Sequence, residues 1–188
     1  MRDLLNYAAP YVPEPVRPAF CALFEWDAGL GRGCLLASQP LLGQIRLQWW
    51  RDQLAGTPLA VMPELAPLAA YITGTVLMPV LDGWAAVLSD DHPLEQHMQR
   101  GAAMFATAAE LIGGDSDATN GEGWALADLS RRTDGDVARQ SRKLAEPRLA
   151  RIDRKQSKPL RVLATLARFT TRGGDLNSRG AALRTLFA

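Results

Sequence analysis

Pro18-Ala19-Phe20-Cys21-Ala22-Leu23-Phe24-Glu25-Trp26-Asp27-Ala28-Gly29-Leu30-Gly31-Arg32-Gly33-Cys34 is the stretch whose reading decides the fold. At about 100° per residue, Val16, Phe20, Leu23, Phe24, Leu30 and Cys34 fall on one apolar stripe of a helix. Pro15 and Pro18 open that helix, which is predicted to run to about Leu36. Asp27 lies in the middle of the stripe, and Gly31 follows one turn later. A carboxylate pointing inward must be paired, hydrogen-bonded or metal-bound, because burying it alone is prohibitive. Asp27 is therefore the most informative residue in the chain.

Outward from this stretch the period stays helical, and no segment alternates as a half-buried strand would. A second helix is predicted over Pro40 to about Ala55, ended by Gly56. Leu41, Leu42, Ile45 and Trp49 form one face and Leu47, Trp50 and Leu54 another, so the helix is expected to be buried between neighbours, Trp49 and Trp50 included. Arg46 and Trp50, four apart, are placed for a cation–π pair. Short apolar helices are expected over Glu64–Thr73 and Pro79–Ser89. His92-Pro93 opens a helix with the stripe Leu94, Met98, Ala102, Phe105, Ala109 and Ile112, ended by Gly113-Gly114. After a polar loop, Asp115–Glu122, a helix over Gly123–Thr133 puts Leu126 and Leu129 on one side and Trp124, Asp128, Arg131 and Arg132 on the other. Val137–Glu146, Pro159–Thr171 and Ser178–Phe187 complete an all-α reading of eight or nine helices, one domain over 1–188.

Composition narrows the function classes. With 188 residues, 47% hydrophobic and a net charge of +1, the chain is neither disordered nor a low-complexity polymer. Two cysteines and two histidines exclude a disulfide scaffold and a His-rich metal centre. Cys21 and Cys34 read as small core hydrophobes, His92 as part of a helix start, and His97 as a residue of a solvated face. Met1-Arg2-Asp3 does not open a signal peptide, and Pro67, Gly74 and Pro79 interrupt the longest uncharged run, Leu65–Leu81. The expectation is a cytoplasmic chain without a transmembrane segment, with membrane contact at most peripheral.

The charge is polarised. Residues 1–130 hold 6 Lys+Arg against 15 Asp+Glu, whereas residues 131–188 hold 15 against 5. That split points to an anionic partner for the basic end, or to two ends that face each other. The basic segment has few aromatics and no helix-turn-helix, zinc-finger or RRM signature, so nucleic acid is not the expected partner.

Paired inward acids on facing helices are how an all-α protein can hold Mg²⁺ against a diphosphate. The simpler readings are that Asp128 and Arg132 form an i,i+4 salt bridge and that Asp136 belongs to the turn chemistry of Thr133-Asp134-Gly135-Asp136.

The runs Ala19–Asp27 and Gln39-Pro40-Leu41-Leu42-Gly43-Gln44-Ile45-Arg46-Leu47-Gln48-Trp49-Trp50-Arg51-Asp52-Gln53-Leu54 resemble the squalene/phytoene synthase family. The branch is a short, divergent bacterial one, similar to the phytoene-synthase-like domain of a complex I assembly factor. The likeness is strong over 17–55, weaker over 100–145 and faint beyond, and the chain is shortened between the Trp-Trp helix and Gly114. The resemblance implies an isoprenoid-synthase-like helical bundle and head-to-head condensation of two prenyl diphosphates on Mg²⁺ held by two DxxxD motifs. Carried over residue by residue, the first motif falls on Asp27 and Gly31, the second on Arg132 and Asp136, with Asp128 at the position of a preceding Asn. Half of the acids are lost. The implied degenerate metal site is Asp27, Asp128 and Asp136. Arg46, Arg131 and Arg132 are the implied diphosphate contacts, and Phe20, Phe24, Trp49, Trp50 and Trp124 the implied pocket.

Three readings follow. The first is a non-catalytic member that binds an isoprenoid, another lipid or a protein partner. The second is an active Mg²⁺-dependent prenyltransferase of isoprenoid biosynthesis. The third is a peripheral membrane or partner-binding module that uses the basic C-terminal segment.

Overall fold

Proline and glycine punctuate this chain at the positions where its helices begin and end. The computed structural model describes residues 2–35, 40–89, 91 and 94–175. The predicted helix over Ser178–Phe187 and the pair His92-Pro93 lie outside the described residues. The helices are α1 (Arg2–Ala8), α2 (Arg17–Leu35), α3 (Pro40–Gly56), α4 (Met78–Val87), α5 (Leu94–Ile112), α6 (Ala118–Arg132), α7 (Gly135–Arg148) and α8 (Lys158–Thr171). Among the described residues there is no strand, so the chain is all-α as the period requires.

Local chemistry sets the boundaries. Pro79 and Pro159 stand in the first turns of α4 and α8, where their missing N–H leaves no partner wanting. Asp117 caps α6 by accepting from the Asn120 N–H at 2.8 Å. Gly113, at φ 63°, ends α5 with the Gly114 N–H donating to the Ala109 carbonyl at 3.0 Å. Asp117 recruits residues 118–122 into α6, so this helix starts earlier than the polar composition of Asp115–Glu122 predicted. Conversely, Glu64–Thr73 forms only a single 3₁₀ turn, Ala66–Leu68, flanked by turns. Pro67 stands within it, yet Leu65, Leu68 and Ile72 are buried at helical spacing all the same.

The buried apolar residues of α1, α2, α4, α5, α6 and α8 form one cluster. Its centre is aromatic: Phe20 packs on Phe24 at 4.9 Å, Phe24 meets Trp124 edge-on at 5.5 Å, and Phe105 lies 5.7 Å from Trp124. Helices α5 and α6 approach closely because both carry glycine at the crossing. A Cβ on Gly121 would stand 2.5 Å from the Gly101 carbonyl oxygen. Asn120 ties the segment after α7 to α6 with its full hydrogen-bonding capacity. Its Nδ2 donates to the carbonyls of Arg148 and Arg151, and its Oδ1 accepts from the Asp153 N–H and from Gln156 Nε2, all at 2.9–3.0 Å.

Helix α3 departs from expectation. Only Gly43, Leu47 and Leu54 of this helix are buried, while Leu41, Leu42, Ile45 and Trp49 are exposed. Two apolar faces promised burial on both sides, but α2 and α4 cover one side alone. Trp49 is therefore not a core residue.

Candidate functional site

Asp27 reaches the centre of the molecule from the stripe of α2, and the structure supplies the partner that burial demands. The Arg100 guanidinium, on α5, donates through Nε to Oδ1 at 2.7 Å and through Nη2 to Oδ2 at 2.6 Å. The Trp84 indole N–H, on α4, adds a third bond to Oδ1 at 2.9 Å. Both charged side chains are fully buried. The guanidinium also faces the Trp84 ring at 4.2 Å and the Trp124 ring at 5.3 Å, a favourable seat for a weakly hydrated cation.

Asp128, on α6, closes the cluster from the other side. Its Oδ2 stands 3.5 Å from Arg100 Nη2 and accepts from Arg132 Nε at 2.8 Å, while its Oδ1 accepts from Arg131 Nη2 at 3.2 Å. The i,i+4 salt bridge read from the sequence is thus present. Burial alone would raise the Asp128 pKa. The guanidiniums of Arg132, Arg100 and Arg131 overcome it and hold this carboxyl down at about 2.

His97 completes the arrangement and corrects the expectation of a solvated face, since it is fully buried. Arginine has no acceptor, so the 2.8 Å contact between Arg100 Nη1 and His97 Nε2 makes Nε2 the acceptor. The ring proton is therefore on Nδ1, which donates to the Gly83 carbonyl at 3.3 Å. The approach of Nε2 to the Ala125 carbonyl is then a contact between two acceptors. Burial first, and the neighbouring Arg100 charge second, push the His97 pKa down to about 3. The imidazole is neutral, an orienting acceptor for Arg100.

Gly31 has no room for the second acid that the resemblance would place there. A Cβ here would lie 2.5 Å from the Trp84 ring and 3.2 Å from Arg132 Nη1. Trp84 occupies the space an aspartate side chain would need. The positions that the resemblance assigns to a second motif do not share a helix: α6 ends at Arg132, and Thr133 and Asp134 are extended before α7 begins at Gly135. Arg132 and Asp136 are consequently not one turn apart on a common helix. Asp136 is exposed and pairs with Arg139 on α7, away from the cluster.

The residues present do not fit Mg²⁺. An octahedral Mg²⁺ needs oxygen ligands at about 2.0–2.1 Å, but both oxygens of Asp27 and both of Asp128 are already bound by N–H donors. Three guanidiniums surround two carboxylates, so the local charge repels a further cation. Among the described residues no three His, Cys, Asp or Glu side chains group as metal ligands.

The remaining predicted site residues scatter. Phe20, Phe24 and Trp124 are fully buried and packed against one another in the core. Arg46 donates to the Gly33 carbonyl at 3.0 Å, and Trp50 packs instead against Trp26 and Trp49. Trp50 and Trp26 line an open groove of about 550 Å³ with Cys21, Glu25, Arg32 and Glu64. Burial, together with Glu25, raises the Cys21 pKa, and burial pushes Cys34 to about 11, so neither thiol is an activated nucleophile. Arg100 and Trp84 were not singled out from the sequence, and His97 was read there as a surface residue. One signal did point to Arg100: it is the sole cation between Arg51 and Arg131.

The chain matches no family model, no curated protein and no solved structure.

Proposed function

We propose that this chain is a non-catalytic relative of the squalene/phytoene synthase-like proteins, one that acts by binding a partner rather than by turnover. The observation that carries this reading is the placement of the Arg100 guanidinium between Asp27 and Asp128. In the reaction implied by the resemblance, carboxylates deliver Mg²⁺ to a diphosphate leaving group, and ionisation depends on that charge. Here Asp27 and Asp128 are satisfied by arginine and indole donors within the protein, and Asp136 pairs at the surface with Arg139. The aromatic residues proposed as pocket walls fill the interior against one another, which favours a ligand or partner held at the surface. Arg131 and Arg46 are both exposed and are each held within the protein, by Asp128 and by the Gly33 carbonyl, so an anionic group would meet them at the surface.

The test is incubation with farnesyl or geranylgeranyl diphosphate and Mg²⁺, following pyrophosphate release and hydrocarbon product. No turnover is expected. Mg²⁺-dependent condensation that Asp27→Asn abolishes in a still-folded protein would overturn the reading and restore the prenyltransferase.

A further inference from the structure

Helix α3 carries more apolar surface than this fold covers. Leu41, Leu42, Ile45 and Trp49 are 59%, 42%, 56% and 53% exposed, and they share one side of the helix. At about 1.5 Å per residue this stripe is roughly 12 Å long. The opposite side, through Gly43, Leu47 and Leu54, packs inward. Trp49 continues outward from a row of indoles, 4.9 Å from Trp50, which is itself 5.6 Å from Trp26.

Charge surrounds this stripe in a definite way. Arg46, exposed, borders the stripe on α3 itself, and the exposed Arg32 lines the neighbouring groove, where Glu25 and Glu64 also stand. Arg46 is anchored to the α2 backbone at the Gly33 carbonyl, which keeps its guanidinium beside the stripe. The first acid on α3, Asp52, lies past the end of the stripe and is engaged by Gln48 at 2.9 Å. Arg51, on the flank, is paired with Asp82.

We propose that the outer face of α3 docks on an anionic lipid bilayer, with Leu41, Leu42 and Ile45 entering the acyl boundary. Trp49 would sit at the interface, and Arg32 and Arg46 at the phosphates. Aliphatic side chains, a rim indole and flanking arginines are the chemistry that holds an interfacial helix. A second copy of the chain fits this face less well. A two-fold interface pairs a patch with itself, so a second copy would meet this face with the same Arg46 border rather than with the negative charge that lipid phosphates offer. The proposal does not depend on whether the chain turns over a substrate.

The experiment is flotation of the full chain with vesicles of phosphatidylcholine alone and of phosphatidylcholine mixed with phosphatidylglycerol, at low and high salt. Binding to the mixed vesicles that weakens with salt is expected. Ile45→Glu should weaken it at least about tenfold. Arg46→Gln should weaken it about fivefold, the factor for ~1 kcal/mol per arginine at such a surface. Val61→Glu, at another exposed apolar position, should leave it unchanged. Ile45 is exposed, so circular dichroism should show each variant folded. A blue shift of tryptophan emission on binding should be lost in Trp49→Phe. Failure to float at low salt, flotation that Ile45→Glu leaves intact, or Ile45-dependent self-association without flotation would each overturn the proposal.

Discussion

Arg100 grips both carboxylate oxygens of Asp27, at 2.7 and 2.6 Å, with neither side chain exposed. The pair joins α5 to α2 at the centre of the molecule, and its geometry is the bidentate fork that arginine alone provides. Removing one partner leaves an uncompensated buried charge. Arg100→Met and Asp27→Leu are each expected to cost about 3–5 kcal/mol, whereas the double variant should recover a large part of the loss. Urea denaturation of the four proteins of the cycle checks this. Additive losses would mean that the pair does not act as a unit.

Trp84 leaves no room for an acid at Gly31, where the resemblance would place one. Gly31→Asp should destabilise by at least about 1–3 kcal/mol through overpacking, without creating Mg²⁺ affinity. Its melting temperature should be the same in Mg²⁺ as in EDTA. A melting point raised by Mg²⁺ would show that Trp84 yields and that an acid at this position can bind the ion.

Acid stability has two separable contributors. His97 is held down at about 3 in the fold against an ordinary 6.5, so it takes up a proton on unfolding. Stability is therefore full above about pH 6.5 and falls by up to ~1.4 kcal/mol per pH unit below it, the slope of one proton. Asp128, held at about 2 against 3.8, adds its own loss between about pH 4 and pH 2, because its depressed pKa stabilises only the ionised form. His97→Asn should flatten the slope between pH 6 and 4, as read from urea melts at stepped pH. An unchanged slope would assign it to other groups.

Two tryptophans that look alike in the sequence should behave oppositely. Trp84 is fully buried and donates to Asp27, so Trp84→Ala should cost about 3–5 kcal/mol. Trp49 is half exposed, and Trp49→Ala should cost less than about 1 kcal/mol. Thermal melts of both variants test whether α3 is covered on one side, as the structure has it, or on both, as its sequence pattern suggested.

Asn120 offers a test outside the charged cluster. All four of its side-chain hydrogen bonds hold the segment 148–156 to α6. Asn120→Ala should strand those groups and cost about 1–3 kcal/mol, with hydrogen exchange rising first at Asp153. Protection that stays at the wild-type level there would place the tie elsewhere.

The sequence by itself determined the helical class, because a 3.6-residue period with proline starts and glycine stops needs nothing beyond neighbours along the chain. It also determined that Asp27 points inward and must have a partner, since the stripe of α2 and the cost of burying a charge are both local facts. The Asp128–Arg132 pair was legible for the same reason, four residues apart on one helix. What only the tertiary structure decided is which partner meets Asp27. Arg100 lies 73 residues away, and it is brought there by the packing of α5 on α2 and on α4, where Gly83 leaves room for the Arg100 side chain, which no periodicity encodes. The solvated face assigned to His97 failed similarly, because the buried side of α5 is centred on His97, Gly101, Met104 and Ala108 rather than on Leu94, Met98 and Ala102. The apolar pattern of α3 could say that both sides prefer to leave water. It could not say that the rest of the chain covers one of them.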